Sequence, residues 1–322
     1  MAQTLFWFFI GLGLLIKGGD FFVTSSVNLA RILRIPRMII GGTLVSIATT
    51  LPELLVTATA SFQGNPQLAI GNAVGSVIAN TGFIVGFTAL IRAVYVRSRD
   101  FLISAWVMLG SGILLSILII DGFVPRWGGI LLLVTGSFYL AVDLIRNYRI
   151  NTKEKSTKES GVENPEKPGS ALNSFLFFVL GAVMVVLGSR FLVNSSLEIA
   201  EFFNLSTLFV GLTIIAIGTS LPELTTAVVS MRRGVVDLSL GNVVGANILG
   251  LTWVSGIAAT INPFYLEGLG DVLSLLAMLI FIILLLVMGF THSQISRREG
   301  FFLLLLYFFY ILGAYQMGLI AG

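Results

Sequence analysis

Apolar residues run along this chain in long stretches, separated by short polar or basic clusters. A helix needs about 20 apolar residues to cross a bilayer core. Ten candidate stretches fit, at roughly 4–30, 38–61, 67–91, 101–120, 127–147, 172–200, 207–231, 238–262, 268–291 and 300–320. The first and sixth are longer than a bilayer needs and are expected to tilt. The N-terminus has no basic region and no small-residue cleavage site before Lys17, so it reads as a first span and not as a removed signal peptide. Between 148 and 171 the chain is rich in Lys, Glu, Ser, Thr and Pro and nearly free of apolar residues. That composition predicts a flexible connecting segment.

Composition agrees. Hydrophobic residues make up 56% of the 322 positions, charged residues 11%, and mean hydropathy is +0.97. A soluble fold of this size cannot bury that much apolar surface, so the chain reads as an all-α integral membrane protein. Aqueous enzymes, nucleic-acid binders and disulfide scaffolds are excluded; there is no Cys. Of the 19 Lys and Arg residues, 16 fall in alternate loops: Arg31, Arg34 and Arg37; Arg92, Arg97 and Arg99; Arg146 through Lys167; Arg232 and Arg233; Arg297 and Arg298. The positive-inside rule places those loops in the cytoplasm, and with ten spans both termini then face outside.

Shifting the chain by 170 residues lays its halves over each other. Gly18 meets Gly188, Phe21 meets Phe191, and Ser25-Ser26 meets Ser195-Ser196. Thr49-x-Leu51-Pro52-Glu53-Leu54 meets Thr219-x-Leu221-Pro222-Glu223-Leu224, and Gly71-Asn72-x-Val74-Gly75 meets Gly241-Asn242-x-Val244-Gly245. The expected organisation is a first repeat over 1–147, the linker 148–171, and a second repeat over 172–322. Five spans per half is an odd number, so the second repeat enters from the opposite side. Inverted repeats are a transporter architecture, with substrate bound near the midplane where they meet. A passive channel is the other membrane reading, but inversion supports alternating access more directly.

Glu53 and Glu223 fall in the middle of the second and seventh stretches. A carboxylate at that depth costs several kcal/mol unless compensated, which makes it a functional candidate. Each follows a proline and a run of small polar residues, Ser46 to Thr50 and Ala216 to Ser220. Proline removes one donor and frees the carbonyl four residues earlier, here at Ala48 and Gly218. Each half thus offers a carboxylate, two hydroxyls and loose carbonyls. Ser76, Asn80 and Asn247 are the plausible further ligands, whereas the Gly-Asn-x-x-Gly glycines read as helix packing. Oxygen-only donors suit hard cations such as Ca²⁺, Na⁺ and Mg²⁺. No Ser–His or paired-Asp arrangement is present, and His292 is the only histidine, so an intramembrane enzyme is disfavoured. Asp20 and Arg190 are equivalent under the same shift; if both lie near the two-fold axis, they would pair. Alternatively, Lys17 neutralises Asp20 and Arg190 snorkels to an interface.

With its two Leu-Pro-Glu motifs and two downstream Gly-Asn-x-x-Gly motifs, the chain resembles the cation/Ca²⁺ exchanger superfamily, closest to the prokaryotic sodium/calcium exchangers. The resemblance covers essentially the whole chain. It implies ten spans in two inverted five-helix repeats in the cell inner membrane, with no cofactor. It also implies Ca²⁺ and Na⁺ as transported ions and a first and sixth helix that slide across the other eight. Glu53 and Glu223 match the central carboxylates, and Thr49 and Thr219 the Ca²⁺-site threonines. Thr50 and Ser220 match neighbouring hydroxyl positions, and Ser46 and Ala216 match carbonyls that coordinate Na⁺. Ser76 matches a Na⁺ ligand and Asn80 a polar residue of the central site. Gly250 and Ala246 stand where relatives usually carry Asp or Asn, and Ser. The expected function is exchange of Ca²⁺ for Na⁺; exchange of Ca²⁺ for protons is the alternative.

Overall fold

The computed structural model describes residues 1–32, 47, 49–96, 99–155, 170–232, 236–265, 268–292 and 294–320. These residues are mostly helical, with four two-residue strands among them. In the first half the helices are α1 (Ala2–Ile32), α2 (Leu51–Phe62), α3 (Pro66–Ile78), α4 (Val85–Ile91), α5 (Arg99–Leu118) and α6 (Arg126–Lys155). In the second they are α7 (Ala171–Phe202), α8 (Thr207–Val210), α9 (Ala216–Thr219), α10 (Leu221–Arg232), α11 (Val236–Leu249), α12 (Ser255–Ile261), α13 (Leu269–His292) and α14 (Arg297–Ile320). Wider π-turns at Ala79–Ile84, Gly211–Ile215 and Gly250–Val254 join α3 to α4, α8 to α9 and α11 to α12.

Among the described residues, eight helical runs are long and apolar enough to cross a membrane. Within the expected second and seventh stretches the described residues include the shorter apolar helices Leu51–Phe62 and Thr207–Thr219; of the second stretch, 38–46 and 48 lie outside the described residues. Both stretches break at the Leu-Pro-Glu motif. Thr50 (φ −78°, ψ −6°) and Ser220 (φ −84°, ψ 6°) leave helical geometry just ahead of each proline. Pro52 and Pro222 then sit in the first turn of a new helix, where a missing N–H costs nothing. The first residues of the expected linker are helical, because α6 continues through Lys155; residues 156–169 of it lie outside the described residues.

The spans sort into an inner and an outer set. In the runs Pro66–Ile91 and Leu240–Ile261, 78% of the most apolar window is buried; in α1, α6 and α14 the figure is 22–28%. The outer set exposes Phe9, Phe138 and Phe308, a surface suited to lipid and not to water.

The contacts come in matched pairs under the shift of 170 residues. Strand β1 (Val94–Tyr95) pairs with β4 (Gln294–Ile295), while β3 (Phe264–Tyr265), the counterpart of β1, pairs with β2 (Phe123–Val124). Gly86 lies against Gly300, and its counterpart Gly256 lies against Gly129. Helices α1 and α7 run antiparallel, crossing at Gly11 against Gly188 and at Gly18 against Gly181, positions where a Cβ would meet backbone atoms at 2.5–3.0 Å. Trp7 stacks on Phe191 at 4.8 Å, and the matched Phe21–Phe177 pair lies at 5.4 Å.

This crossing overturns the expected Asp20–Arg190 ion pair. With Gly18 opposite Gly181, Asp20 stands across from about Val179 and not from Arg190. The two are about eleven residues apart along the helix pair, roughly 16 Å at 1.5 Å per residue. Both are exposed, and no salt bridge joins them. Along this crossing, positions equivalent under the shift face each other only near Leu14, Leu15, Met184 and Val185.

Candidate ion-binding site

The two Leu-Pro-Glu turns come together beside the inner helices. Glu53 on α2 is 3% exposed, and Glu223 on α10 is fully buried. They are close enough for their charges to interact. The Ser220 hydroxyl donates to Glu53 Oε1 at 3.3 Å, linking the turn of one half to the carboxylate of the other. Glu53 Oε2 and both carboxylate oxygens of Glu223 make no hydrogen bond of normal geometry, although the Thr49 hydroxyl neighbours Glu223. Three bare oxygens on buried acids are costly in a low-dielectric interior and are the groups a cation would satisfy.

A small cavity opens on Glu53, with about 230 Å³ of empty space counting what communicates with solvent. Thr50, Ser76, Asn80, Asn247 and Gly250 are among its walls. Ser76 Oγ and Asn80 Oδ1 are buried without a partner. Asn80 Nδ2 donates to Asn247 Oδ1 at 3.0 Å. Asn247 in turn donates to Thr81 Oγ1 at 2.9 Å and contacts Met108 Sδ at 3.5 Å, so its amide is oriented from behind. Asn80 lies within the first π-turn and Gly250 opens its counterpart. Widened turns of this kind re-aim side chains and are frequent at functional sites.

The other expected ligands divide. Thr49 and Thr219 are buried at the same turns. The Thr219 hydroxyl lies 3.1 Å from the Ile215 carbonyl and 3.1 Å from Asn72 Oδ1. The Ala216 carbonyl already accepts from the Ser220 N–H at 3.1 Å and from the Thr219 hydroxyl at 3.3 Å. Ser46 and Ala48 lie outside the described residues. No group of three or more His, Cys, Asp or Glu occurs among the described residues. A cation here would therefore take two carboxylates supplemented by hydroxyl, amide and carbonyl oxygens, a donor set that suits hard ions.

Asn72 is the residue of this site that sequence reasoning passed over. Its amide donates to Thr57 Oγ1 at 2.9 Å and to the Glu53 carbonyl at 3.3 Å, while its oxygen meets Thr219. It pins the acid-bearing turn of one half to the hydroxyl-bearing turn of the other. The repeated Gly-Asn-x-x-Gly motif was the available signal. Gly241 of the second copy does not pack, since a Cβ there would meet nothing within 4 Å, but the glycines of the first copy do: a Cβ at Gly71 would lie 2.7 Å from the Leu208 carbonyl, and one at Gly75 would strike Leu212. That close approach is what brings Asn72 to Thr219.

The model of the family "Sodium/calcium exchanger protein" matches residues 3–144 and 173–316. The chain belongs to the sodium/calcium exchanger family. It is thus a multi-pass membrane transporter, a cation/Ca²⁺ exchanger. This exchanger is 36% identical to the inner membrane protein YrbG of Escherichia coli over 81% of its own length and 80% of that protein. It is 34% identical to the candidate antiporter CaxA of Alkalimonas amylolytica, covering 96% of this chain and 98% of CaxA. Among solved structures it matches the sodium-calcium exchanger NCX_Mj, soaked with 2.5 mM Na⁺ and 10 mM Sr²⁺, at TM-score 0.66 and 30% identity, covering 97% and 98% of the two chains.

Proposed function

We propose that this exchanger moves Ca²⁺ against Na⁺ by alternating access, holding both ions in turn between Glu53 and Glu223. The observation that carries the reading is the pair of buried acids with three unpartnered oxygens, set at two broken helices beside a cavity. Thr49, Thr50, Thr219 and Ser220 supply hydroxyls at those turns; Ser76, Asn80 and Asn247 extend the donor set into the cavity. The Ser46 and Ala216 carbonyls complete the assignment, Ala216 only after its present hydrogen bonds open.

The architecture assigned is ten spans in two inverted repeats, 1–147 and 172–322, joined by the linker 148–171, in the cell inner membrane with both termini outside. The exchange of strand partners and glycine contacts under the shift of 170 residues supports the inversion. Helices α1 and α7, joined by bare glycine crossings, form a unit able to slide against the buried inner helices. Proton coupling is the second reading. It is favoured by the apolar pair Val77 and Gly250, which leaves one wall of the cavity without donors for Na⁺.

The test is ⁴⁵Ca²⁺ uptake into proteoliposomes under an imposed Na⁺ gradient, with a pH gradient in parallel. Uptake that requires the Na⁺ gradient is expected. Uptake that follows pH alone would replace Na⁺ by H⁺, and none under either gradient would refute the ion assignment.

A further inference from the structure

The cavity has two walls that correspond under the repeat, and they differ. On one wall Asn80 donates to Asn247 at 3.0 Å. The counterparts of Asn80 and Asn247 under the shift of 170 are Gly250 and Val77, and these two also face each other. A Cβ built at Gly250 would stand 3.5 Å from Val77 Cγ2 and 4.0 Å from the Ala73 carbonyl. Those are ordinary contact distances. At Gly71 and Gly211, by contrast, a Cβ would lie 2.7 and 2.6 Å from a neighbouring carbonyl. Packing therefore demands glycine at 71 and 211 but not at 250, where a Cβ stands at ordinary contact distance on the cavity wall.

We propose that Gly250 sets the charge moved per transport cycle: with no acid on this wall, the exchanger trades one Ca²⁺ for two monovalent cations and is electroneutral. The inference rests on Glu53 and Glu223 as the ion-holding pair. Among the described residues that line the cavity, Glu53 is the only acid, and Glu223 is the buried acid that acts on it. Ionised, the pair carries two negative charges. An uncompensated charge in such a setting costs several kcal/mol, so a loaded site tends to neutrality. One Ca²⁺ achieves it, and so do two Na⁺ or two protons. A third monovalent ion would enter beside Val77 with no counter-charge. Loaded with either substrate, the site then crosses carrying the same net charge.

The experiment is Ca²⁺ accumulation in proteoliposomes of the full chain under a fixed Na⁺ or pH gradient, with K⁺ and valinomycin imposing a potential of either sign. The expected result is an accumulation ratio unchanged by potential. Movement of one net charge would shift the ratio by about 50-fold at about 100 mV, and that result would overturn the proposal. Absence of Ca²⁺ flux under every gradient would instead bring down the ion assignment beneath it. Gly250→Asp is expected to make accumulation depend on potential; an active Gly250→Asp protein that stays insensitive would refute the role given to Gly250. Val77→Asp places an acid in the same gap from the facing helix and serves where Gly250→Asp does not assemble.

Discussion

The Asn80–Asn247 wall and the Val77–Gly250 wall occupy corresponding places in the two halves, yet one is a hydrogen-bonded amide pair and the other an apolar contact. The acids below them have not diverged: Glu53 and Glu223 both remain, each behind its proline. In the proposed reading the two halves share the groups that would neutralise a divalent ion and differ in those that would solvate additional ions. Each acid would then need the other to balance Ca²⁺. A neutral ligand such as Asn80 can be supplied from one wall alone.

The sharpest way to break this comparison is at the acids. Glu53→Gln and Glu223→Gln should each weaken Ca²⁺ binding by on the order of a hundredfold or more, the effect of leaving one buried charge without its partner. Equilibrium ⁴⁵Ca²⁺ binding measures this, and a variant that binds normally would show that only one half carries the ion. Next come the glycines. Gly75→Ala drives a methyl into the Leu212 backbone and should cost about 3 kcal/mol, read as a lower unfolding temperature in detergent. Gly250→Ala, with no contact under 3.5 Å, should leave that temperature nearly unchanged. Equal losses would remove the distinction between a packing glycine and an open one. Asn72→Ala should cost about 1–3 kcal/mol of stability, because it leaves the buried Thr57 and Thr219 hydroxyls without this bridge. The smallest effect separates the two walls: Asn80→Ala should weaken Na⁺ competition with Ca²⁺ by about tenfold, and Val77→Ala by much less. The same loss at both positions would make the walls functionally alike.

Much of this was legible in the sequence. Long apolar runs located eight helices, to within a few residues except at the end of α6, and Pro52 and Pro222 marked where the remaining two stretches break. The buried acids were legible because burial of a carboxylate is too costly to be casual. What was not legible depends on which copies face each other. Asp20 and Arg190 are equivalent by sequence, but their separation follows from where α1 crosses α7, which the Gly18–Gly181 contact fixes. Asn72 was hidden for a similar reason: its partner Thr219 is 147 residues away, and nothing local announces the bond. Thr81 gave no signal either, since its counterpart Leu251 carries no hydroxyl, and its role is only to turn Asn247. The end of α6 at Lys155 was missed because charged Lys, Arg and Glu residues, read as solvated linker, are also good helix formers.

The central claim is that one Ca²⁺ sits between Glu53 and Glu223 and is displaced by monovalent ions. Equilibrium binding of ⁴⁵Ca²⁺ to the purified full-length protein, titrated with Na⁺, tests it most directly. The account predicts one displaceable Ca²⁺ per chain in the unmodified protein and none in either Glu-to-Gln variant. Binding that survives loss of both acids, or that Na⁺ and protons leave untouched, would contradict it.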